Sequence, residues 1–188
     1  RVIQELNLTL LFRIEMTKIA MIAAVAQNGV IGNKSNNDIP WRISEDFLHF
    51  KNLTMGFPCI MGRITFESIP PKFRPLAGRE NIVLTKNKKF NAEGTTIFNT
   101  LEETIHYVNQ NKAERAYITG GSTIYKLGLE IADVFELTRV HMEFDGDIFF
   151  PEVHWNQWEL VEQTDQKSIN KISGEPIEYS FLTYHRIM

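Results

Sequence analysis

Short apolar runs alternate with stretches of helical periodicity along most of the chain. The apolar runs, which predict β-strands, cover residues 19–26, 59–61, 81–85, 96–98 and 116–119. The stretches that predict helices cover residues 44–53, 64–69, 101–110 and 122–129. Because strands that alternate with helices form parallel sheets, this order predicts an α/β domain with a largely parallel sheet.

The pattern changes after residue 131. Three further strands are predicted over residues 134–141, 158–163 and 179–187, and turns rather than helices separate them. Strands connected in this way favour antiparallel pairing. We therefore expect an antiparallel edge at the C-terminal end of the sheet.

Length and composition restrict the possible functions. A chain of 188 residues with 43% hydrophobic and 23% charged composition fits one well-buried domain. The net charge of -3 and the lack of a long basic cluster argue against nucleic acid or a membrane surface as partner. The lone cysteine, Cys59, cannot form an internal disulfide, and the histidines show no metal-ligand spacing with it. A cytoplasmic protein that binds a small molecule and has no structural metal is expected.

The N-terminal residues do not follow the pattern of the rest. Residues 6–12 are apolar but too short to span a bilayer, and Met16 has the features of a natural start. We expect residues 1–15 to be a non-native or disordered extension and residues 16–188 to form the single domain.

One carboxylate differs from ordinary surface charge. Asp46 follows Trp41 by five residues and precedes Phe47 and Phe50. On a helix that begins near Ser44, it lies beside an aromatic face, where it can bind a cationic or amidine-like heterocycle. The alternative is that Ser44 caps the helix and Asp46 only favours its positive N-terminal end. These residues alone leave both interpretations open.

Two strand-to-helix junctions are candidates for phosphate binding. In the first, an apolar strand runs into Gly62 and Arg63, so that backbone N–H groups and a guanidinium converge. In the second, a strand runs into Gly120 and Gly121, whose missing Cβ atoms let a diphosphate approach the next helix. A Gly-Gly pair after a strand is more often a tight turn, and the full GxGxxG and Walker motifs are absent. Two such junctions in one short α/β chain nevertheless favour a nucleotide cofactor.

Seven sequence segments follow one another in a specific order and spacing. They are IAAVAQNGVIG (22–32), IPW (39–41) followed by Asp46, IMGRITFESI (60–69), RPLAGR (74–79), NIVLT (81–85), YITGGSTIY (117–125) and FDGDIFFP (144–151). On these segments the chain, from about Lys18 to its C-terminus, resembles the dihydrofolate reductase family of the type that bacteria and vertebrates share.

This resemblance implies a fold and a reaction. The fold is a single α/β domain with a twisted, mostly parallel eight-stranded sheet and four flanking helices. The reaction is NADPH-dependent reduction of 7,8-dihydrofolate to 5,6,7,8-tetrahydrofolate, by hydride transfer to C6 with N5 protonation promoted by Asp46. The resemblance also implies a role in one-carbon metabolism and competition by antifolate inhibitors at the substrate site. We expect the enzyme to be a cytoplasmic monomer.

The resemblance implies roles for residues on the substrate side. Asp46 would bind the amidine-like edge of the pterin, and the hydroxyl of Thr138 would brace it. Trp41 would close one side of the site and help to hold a water molecule. Arg79 would grip the α-carboxylate of the substrate in a bidentate geometry that lysine cannot reproduce. The implied apolar wall comprises Ile22, Ala24, Phe47, Phe50, Ile69 and Leu76.

Cofactor roles are implied in the same way. Arg63 and Lys86 would face the 2′-phosphate of NADPH, Tyr125 would lie near the nicotinamide, and the loop 33–38 would close over it. In this family, the peptide bond between the two glycines that match Gly120 and Gly121 is cis. The remaining cofactor positions that the resemblance implies are Ala23, Ile31, Gly62, Ile64, Thr65, Leu84, Thr85, Thr119, Gly120, Gly121, Ser122, Thr123 and Ile124.

Two other functions fit part of the sequence. A pyrimidine reductase of the same fold would use the phosphate-binding junctions but would not need Asp46 after IPW or the arginine of RPLAGR. A non-catalytic module that binds pteridines or dinucleotides would keep the pockets and fail to turn over. The presence of all these motifs together favours the reductase of dihydrofolate.

Overall fold

The computed structural model describes residues 16–187. The strands in this part of the chain are β1 (Lys18–Ala26), β2 (Val30–Gly32), β3 (Cys59–Gly62), β4 (Asn81–Leu84), β5 (Thr95–Phe98), β6 (Arg115–Gly120), β7 (Val134–Val140), β8 (Ile148–Phe149), β9 (Trp158–Ile169) and β10 (Pro176–Arg186). Eight of them form one sheet in the order β5-β4-β3-β6-β1-β7-β10-β9, while β2 and β8 form a separate pair.

The main sheet is parallel apart from one strand. Strand β1 lies between β6 and β7 and runs parallel to both, and β3, β4 and β5 continue the parallel arrangement. Among the eight strands, β10 alone is reversed, and it pairs antiparallel with β7 and β9. The predicted parallel sheet with an antiparallel C-terminal edge is therefore confirmed. The carboxyl ends of β1, β3, β6 and β7 meet at one edge, where open α/β sheets bind their ligands.

Four α-helices accompany the sheet within residues 16–187: α1 (Ser44–Thr54), α2 (Arg63–Ser68), α3 (Leu101–Gln110) and α4 (Ser122–Ile131). Helix α3 begins with a capping box between Thr100 and Glu103. Helix α1 has no side-chain cap, because Ile43 occupies the cap position in an extended conformation and Ser44 is already helical. The interpretation of Ser44 as the cap is therefore wrong. None of these helices has the length and apolar character needed to cross a membrane.

Strand β1 is buried on both of its faces, as expected for a central parallel strand. On one face, Met21 belongs to a core cluster that includes Leu129 of α4. On the other face, Ile22 packs in a cluster bordered by Phe50 of α1. The acid-bearing helix α1 thus lies on the opposite side of the sheet from α4.

The predicted boundaries fail mainly at short or exposed strands. Strand β9 extends to Ile169, beyond the predicted end at 163, and β10 begins at Pro176, before the predicted start at 179. Most of β9 is exposed at the sheet edge, so its polar sequence lacks the pattern that marks a strand. Strands β2 and β8 have three and two residues and are too short for the pattern to predict. The predicted extension over residues 1–15 lies outside the described residues.

Candidate active site

The carboxyl group of Asp46 lies between helix α1 and strand β7. Asp46 is in the first turn of α1, and its Oδ1 accepts a hydrogen bond of 2.6 Å from the hydroxyl of Thr138. Thr138 is buried and pairs in register with Ala24 of β1. The candidate acid and the hydroxyl predicted to brace it therefore contact each other above the centre of the sheet.

The surroundings of Asp46 change its acidity. Burial raises the pKa of Asp46 to about 6, while the hydrogen bond from Thr138 opposes the rise. At neutral pH the group is mostly an anion, and because the residue is half-buried its charge has less water around it than a surface carboxylate has. Such a carboxylate can bind an amidine-like group and raise the proton affinity of a base held nearby.

Apolar side chains border the acid. Ile22 is buried beneath α1, and Phe50 is half-buried in the same cluster. Phe47 is 47% exposed, so it lies at the surface of the site rather than in the core. Ile69 and Leu76 pack in a different cluster, on the chain segment that follows α2. Ala24 packs against a third cluster, so the predicted wall draws on three separate packing units.

Trp41 and Tyr125 are held by packing. Trp41 is 2% exposed, and its ring centroid lies 5.0 Å from that of Phe144. Tyr125 is buried on α4, and its hydroxyl donates a hydrogen bond of 2.8 Å to the carbonyl oxygen of Ile22. Burial raises the pKa of Tyr125, so the phenol stays protonated. Tyr125 thereby links α4 to the strand that passes beneath Asp46.

Arg79 is oriented by neighbouring groups that leave its charge available. Its Nη1 donates to the hydroxyl of Thr54 at 3.1 Å, and its Nε donates to the carbonyl oxygen of Ala77 at 3.1 Å. The guanidinium carbon lies 5.8 Å from the ring centroid of Phe50. Within residues 16–187 no carboxylate forms an ion pair with Arg79. A substrate carboxylate could therefore bind this group next to the apolar wall.

The second glycine junction forms a close-packed cradle. The peptide bond between Gly120 and Gly121 is cis, as the resemblance implied. Gly121 is the N-cap of α4, and a Cβ atom added there would lie 3.1 Å from Oγ1 of Thr65 on α2. Gly120 has a φ of +114°, and a Cβ atom there would lie 3.1 Å from the ring of Tyr125. Side chains at these two positions would therefore fill the space where α2 and α4 begin.

A cleft of about 160 Å³ opens beside these glycines and is called the cofactor-side cleft below. A cavity of this size has room for one six-membered ring. The predicted residues that line it are Ala24, Ile31, Ile64, Thr65, Thr119, Gly120, Gly121 and Tyr125. Residues Gly32, Ile39, Ser68 and Ile148 also line it, although sequence reasoning did not assign them. Each of these four lies inside one of the seven segments that carry the family resemblance. The segments could therefore be recognised from the sequence, although no binding role was predicted for these four residues.

The loop 33–38 covers part of the cofactor-side cleft. Asn37 and Asp38 line the cleft, and Asp38 forms a two-pronged ion pair with Arg42, at 2.8 and 2.7 Å. The backbone N–H of Lys34 donates a hydrogen bond of 2.7 Å to a carboxylate oxygen of Asp147. The loop predicted to close over the nicotinamide is therefore tied at both of its ends.

Several predicted cofactor residues lie at the rim or in the core instead. Arg63 forms an ion pair of 2.6 Å with Glu67, and Lys86 is exposed. The hydroxyl of Ser122 donates to the carbonyl oxygen of Phe149 at 2.7 Å. Other predicted positions at the junctions are Gly62 before α2, Thr85 after β4 and Thr123 in the first turn of α4. The side chains of Ala23, Leu84 and, less completely, Ile124 pack in the core.

Thr119, one of the predicted cofactor residues, has its hydroxyl bonded within the sheet. The hydroxyl of Thr119 donates to the carbonyl oxygen of Ile60 at 3.3 Å, so it adds little polarity to the cleft. In the part of the chain that the structure describes, no group of three or more His, Cys, Asp or Glu side chains is placed to hold a metal ion.

Comparison with known proteins gives a consistent result. A family model described as dihydrofolate reductase matches residues 18–186. The dihydrofolate reductase of Neisseria gonorrhoeae is 39% identical over 169 residues, which cover 90% of this chain and 98% of that protein. The dihydrofolate reductase of Staphylococcus haemolyticus is 38% identical over 170 residues, or 90% of this chain and 96% of that protein.

A solved structure is similar to the whole described fold. It is dihydrofolate reductase from Enterococcus faecalis complexed with NADP(H) and RAB-propyl, with a TM-score of 0.81 and 33% sequence identity. The similarity covers 91% of this chain and 97% of that one.

Proposed function

The chain belongs to the dihydrofolate reductase family, and from that membership we propose how its own residues carry out the reaction. The enzyme reduces 7,8-dihydrofolate to 5,6,7,8-tetrahydrofolate with NADPH. The observation that carries our assignment of residues is the contact between Asp46 and Thr138, because it holds a carboxylate of raised pKa beside the apolar wall.

The residues at the sheet edge fit a nicotinamide cofactor. The cofactor-side cleft has room for one ring, and the cradle at Gly120 and Gly121 is a space that a Cβ atom would fill. Thr65, Gly121 and the first turn of α4 would hold the diphosphate, and Arg63 and Lys86 the 2′-phosphate. When bound, NADPH supplies the hydride. The loop that carries Asp38 would shield this ring from water.

Asp46 would prepare the substrate for reduction. The carbon C6 of the C6=N5 imine accepts a hydride readily only when N5 is protonated. The negative charge of Asp46, held by Thr138 in a poorly hydrated site, would raise the proton affinity of N5 while the proton comes from solvent. Asp46 would itself bind the amidine-like edge of the pterin, so we propose an electrostatic role rather than direct proton donation.

The other substrate-side residues would bind and orient. Ile22, Phe47 and Phe50 would contact the flat rings, where burial of a large side chain is worth about 2 kcal/mol. Arg79, anchored on Thr54, would bind the α-carboxylate of the substrate with two parallel hydrogen bonds. The apolar wall and the arginine for an α-carboxylate together favour a folate over the smaller substrate of a pyrimidine reductase.

Arg79→Lys tests the substrate assignment. A point charge replaces a planar fork, so dihydrofolate binding should weaken by roughly 1.5–3 kcal/mol while NADPH binding changes little. Fluorescence titration of each ligand measures both. The same loss for both ligands would show that Arg79 does not bind the substrate.

We also propose that the protein acts as a monomer in the cytoplasm. One chain supplies Asp46, Arg79 and the glycine cradle, so no second subunit is needed to complete the site. The single cysteine, Cys59, is fully buried, and burial raises the pKa of its thiol to about 11, as suits a thiol that stays reduced. Sedimentation across a concentration series tests the oligomeric state.

A turnover assay separates the candidate functions. The loss of near-ultraviolet absorbance of NADPH is followed with dihydrofolate, with a pyrimidine substrate, and with no substrate. We expect NADPH to be oxidised when dihydrofolate is present, but not with the pyrimidine substrate or without a substrate. Turnover of the pyrimidine would identify the related reductase, and binding of both ligands without turnover would identify a non-catalytic module.

A further inference from the structure

His49 lies on the same helix as Asp46, one turn further along α1. Its imidazole stacks on the ring of Phe181 of β10, with centroids 3.8 Å apart and an angle of 21° between the planes. Residues three apart on a helix have Cβ atoms about 5–6 Å from each other. The imidazole and the candidate acid are therefore close neighbours on the face of α1 that meets the sheet.

The sheet brings the partners of these two side chains together as well. Thr138, which binds Asp46, is paired in register with Phe181, which stacks on His49. Paired residues of antiparallel strands point to the same face, with Cβ atoms about 4.5–5.5 Å apart. Helix α1 thus contacts one cross-strand pair, Thr138 and Phe181, at two adjacent points. Asp46 makes the polar contact and His49 makes the aromatic one.

The surroundings of the stack contain few charges. Tyr179 of β10 meets the ring of Phe181 edge-on at 5.3 Å and is 1% exposed. The charged or titratable groups around the stack are Glu45 and Asp46 on α1, Glu162 of β9 and Tyr179 of β10. Burial lowers the pKa of His49 while the charge of Glu162 opposes this, so the ring stacks as a neutral group near pH 7.

We propose that His49 is a positioning residue for Asp46: by stacking on Phe181 it seats the first turns of α1 on the sheet and keeps water away from the carboxylate. The inference rests on the role proposed for Asp46. It assigns to His49 a contact with Phe181 rather than a charge or a proton transfer. A flat apolar ring should therefore replace the imidazole, whereas a small side chain should not.

The test measures the pKa of Asp46 in the enzyme without ligands, by ¹³C NMR titration of its carboxyl group, with Asp46→Asn to identify the resonance. In His49→Ala water reaches the carboxylate, and the pKa of Asp46 should fall by about one unit towards its ordinary value. In His49→Phe it should stay within a few tenths of a unit. Leu48→Ala is the matched control, because Leu48 is the 56% exposed neighbour on the same helix, and no shift is expected.

Two results would overturn the inference. An unchanged pKa of Asp46 in His49→Ala would show that the stack only stabilises the fold. A shift in His49→Phe as large as that in His49→Ala would show that the imidazole itself, not the stacking, sets the acidity. If His49→Ala does not fold, Phe181→Leu removes the other ring and should lower the pKa in the same way, and no shift there would equally overturn the inference.

Because the titration needs no turnover, its outcome is separate from that of the proposed function. A normal rate of hydride transfer in Asp46→Asn would refute the catalytic role of Asp46. It would do so even if substitutions of His49 shift the pKa of Asp46 as expected.

Discussion

Two walls of the candidate active site are built in different ways. The acid wall, formed by Asp46, Thr138 and Phe50, depends on contacts between side chains that are far apart in the chain, since Asp46 and Thr138 are separated by 92 positions. The glycine junction, formed by Gly120, Gly121 and Thr65, depends on backbone shape where β6 runs directly into α4.

This difference decides what each wall can control. The acid wall places a titratable group in a poorly hydrated position, so its changes should appear in rates and in pH dependence. The glycine junction has little charge of its own and only tight space for a side chain, so its changes should appear in stability and cofactor affinity. Variants at the two walls should therefore have different signatures.

The largest effect is expected for Asp46→Asn. Near neutral pH, hydride transfer should fall by about two to four orders of magnitude, because the charge that favours protonation of N5 is lost. NADPH affinity should not change. As the pH falls, solvent protonates N5 without help, and the rates of the variant and the native enzyme should converge. Single-turnover kinetics from pH 5 to pH 9, with deuterated NADPH to identify the chemical step, measure this.

A deficit that stays constant in acid would contradict the electrostatic role of Asp46. A variant that is nearly as fast as the native enzyme at pH 7 would show that Asp46 only stabilises the N-terminal end of α1.

Gly120→Ala should have the next largest effect, at the other wall. The residue has a φ of +114°, and the new Cβ atom would lie 3.1 Å from the buried ring of Tyr125. We expect the free energy of unfolding to fall by about 2–4 kcal/mol, from backbone strain and overpacking together. Denaturant unfolding measures the loss, and NADPH titration should show weaker binding.

Gly174→Ala is the matched control for backbone strain. Gly174 also has a positive φ, of +78°, but no atom lies within 4 Å of its added Cβ atom. It should lose only about 1 kcal/mol and bind NADPH normally. Equal losses at both glycines would mean that the contact with Tyr125 has no effect.

The same contrast explains what could be predicted from sequence. The glycine junction is continuous in the chain, so its strand, glycines and helix could be recognised locally as a possible phosphate site. The partner of Asp46 could not be found in this way, because Thr138 lies on a distant strand, and only the family resemblance identified it. The raised pKa of Asp46 depends on burial and became visible only in the structure.

Other errors have equally physical causes. The residues 164–169, which are polar apart from Ile169, form a strand because β10 supplies the pairing. The alternative in which Ser44 caps α1 is wrong because Ile43, which has no capping side chain, adopts the extended conformation of that position. The parallel sheet and its antiparallel C-terminal edge could be predicted from the alternation of elements, whereas the strand order, the bounds of β9 and the cap of α1 depend on contacts that only the structure shows.

A smaller effect of Asp46→Asn concerns stability. The pKa of Asp46 is about 6 in the folded protein and about 3.9 when unfolded, so the native state is penalised once the group ionises. The favourable contribution of the protonated acid is complete below about pH 4 and is lost as the pH rises through 6. Asparagine avoids this loss, so the variant should be more stable by about 1–3 kcal/mol above pH 7.

Urea unfolding at several pH values between 4 and 8 measures the gap between the two proteins. Carboxylates with lowered pKa values, such as Glu45 and Glu178, lose stability in acid in both proteins and cancel in the comparison. A native enzyme more stable than the variant at pH 8 would show that the charge of Asp46 is not penalised in the fold.

The smallest effect is expected for Arg63→Ala, at the edge of the cofactor side. Arg63 is 35% exposed in its side chain and already paired with Glu67 at 2.6 Å, so solvent screens its attraction for a phosphate. We expect the preference for NADPH over NADH to fall by about tenfold, roughly 1.4 kcal/mol, with little change in hydride transfer from saturating NADPH. The ratio of kcat/KM for the two cofactors measures it, and the effect should shrink at high salt.

Glu67→Gln is the matched variant, because it removes the ion pair and keeps the arginine. If Arg63 recognises the 2′-phosphate, this change frees the guanidinium, and the preference for NADPH should stay the same or increase. A loss of preference equal to that of Arg63→Ala would show that the pair acts by stabilising α2, and that recognition of the phosphate depends on Lys86 or the backbone of the junction. The cofactor side would then select NADPH without the guanidinium of Arg63, and its contrast with the acid wall, where one charged side chain controls the rate, would be sharper.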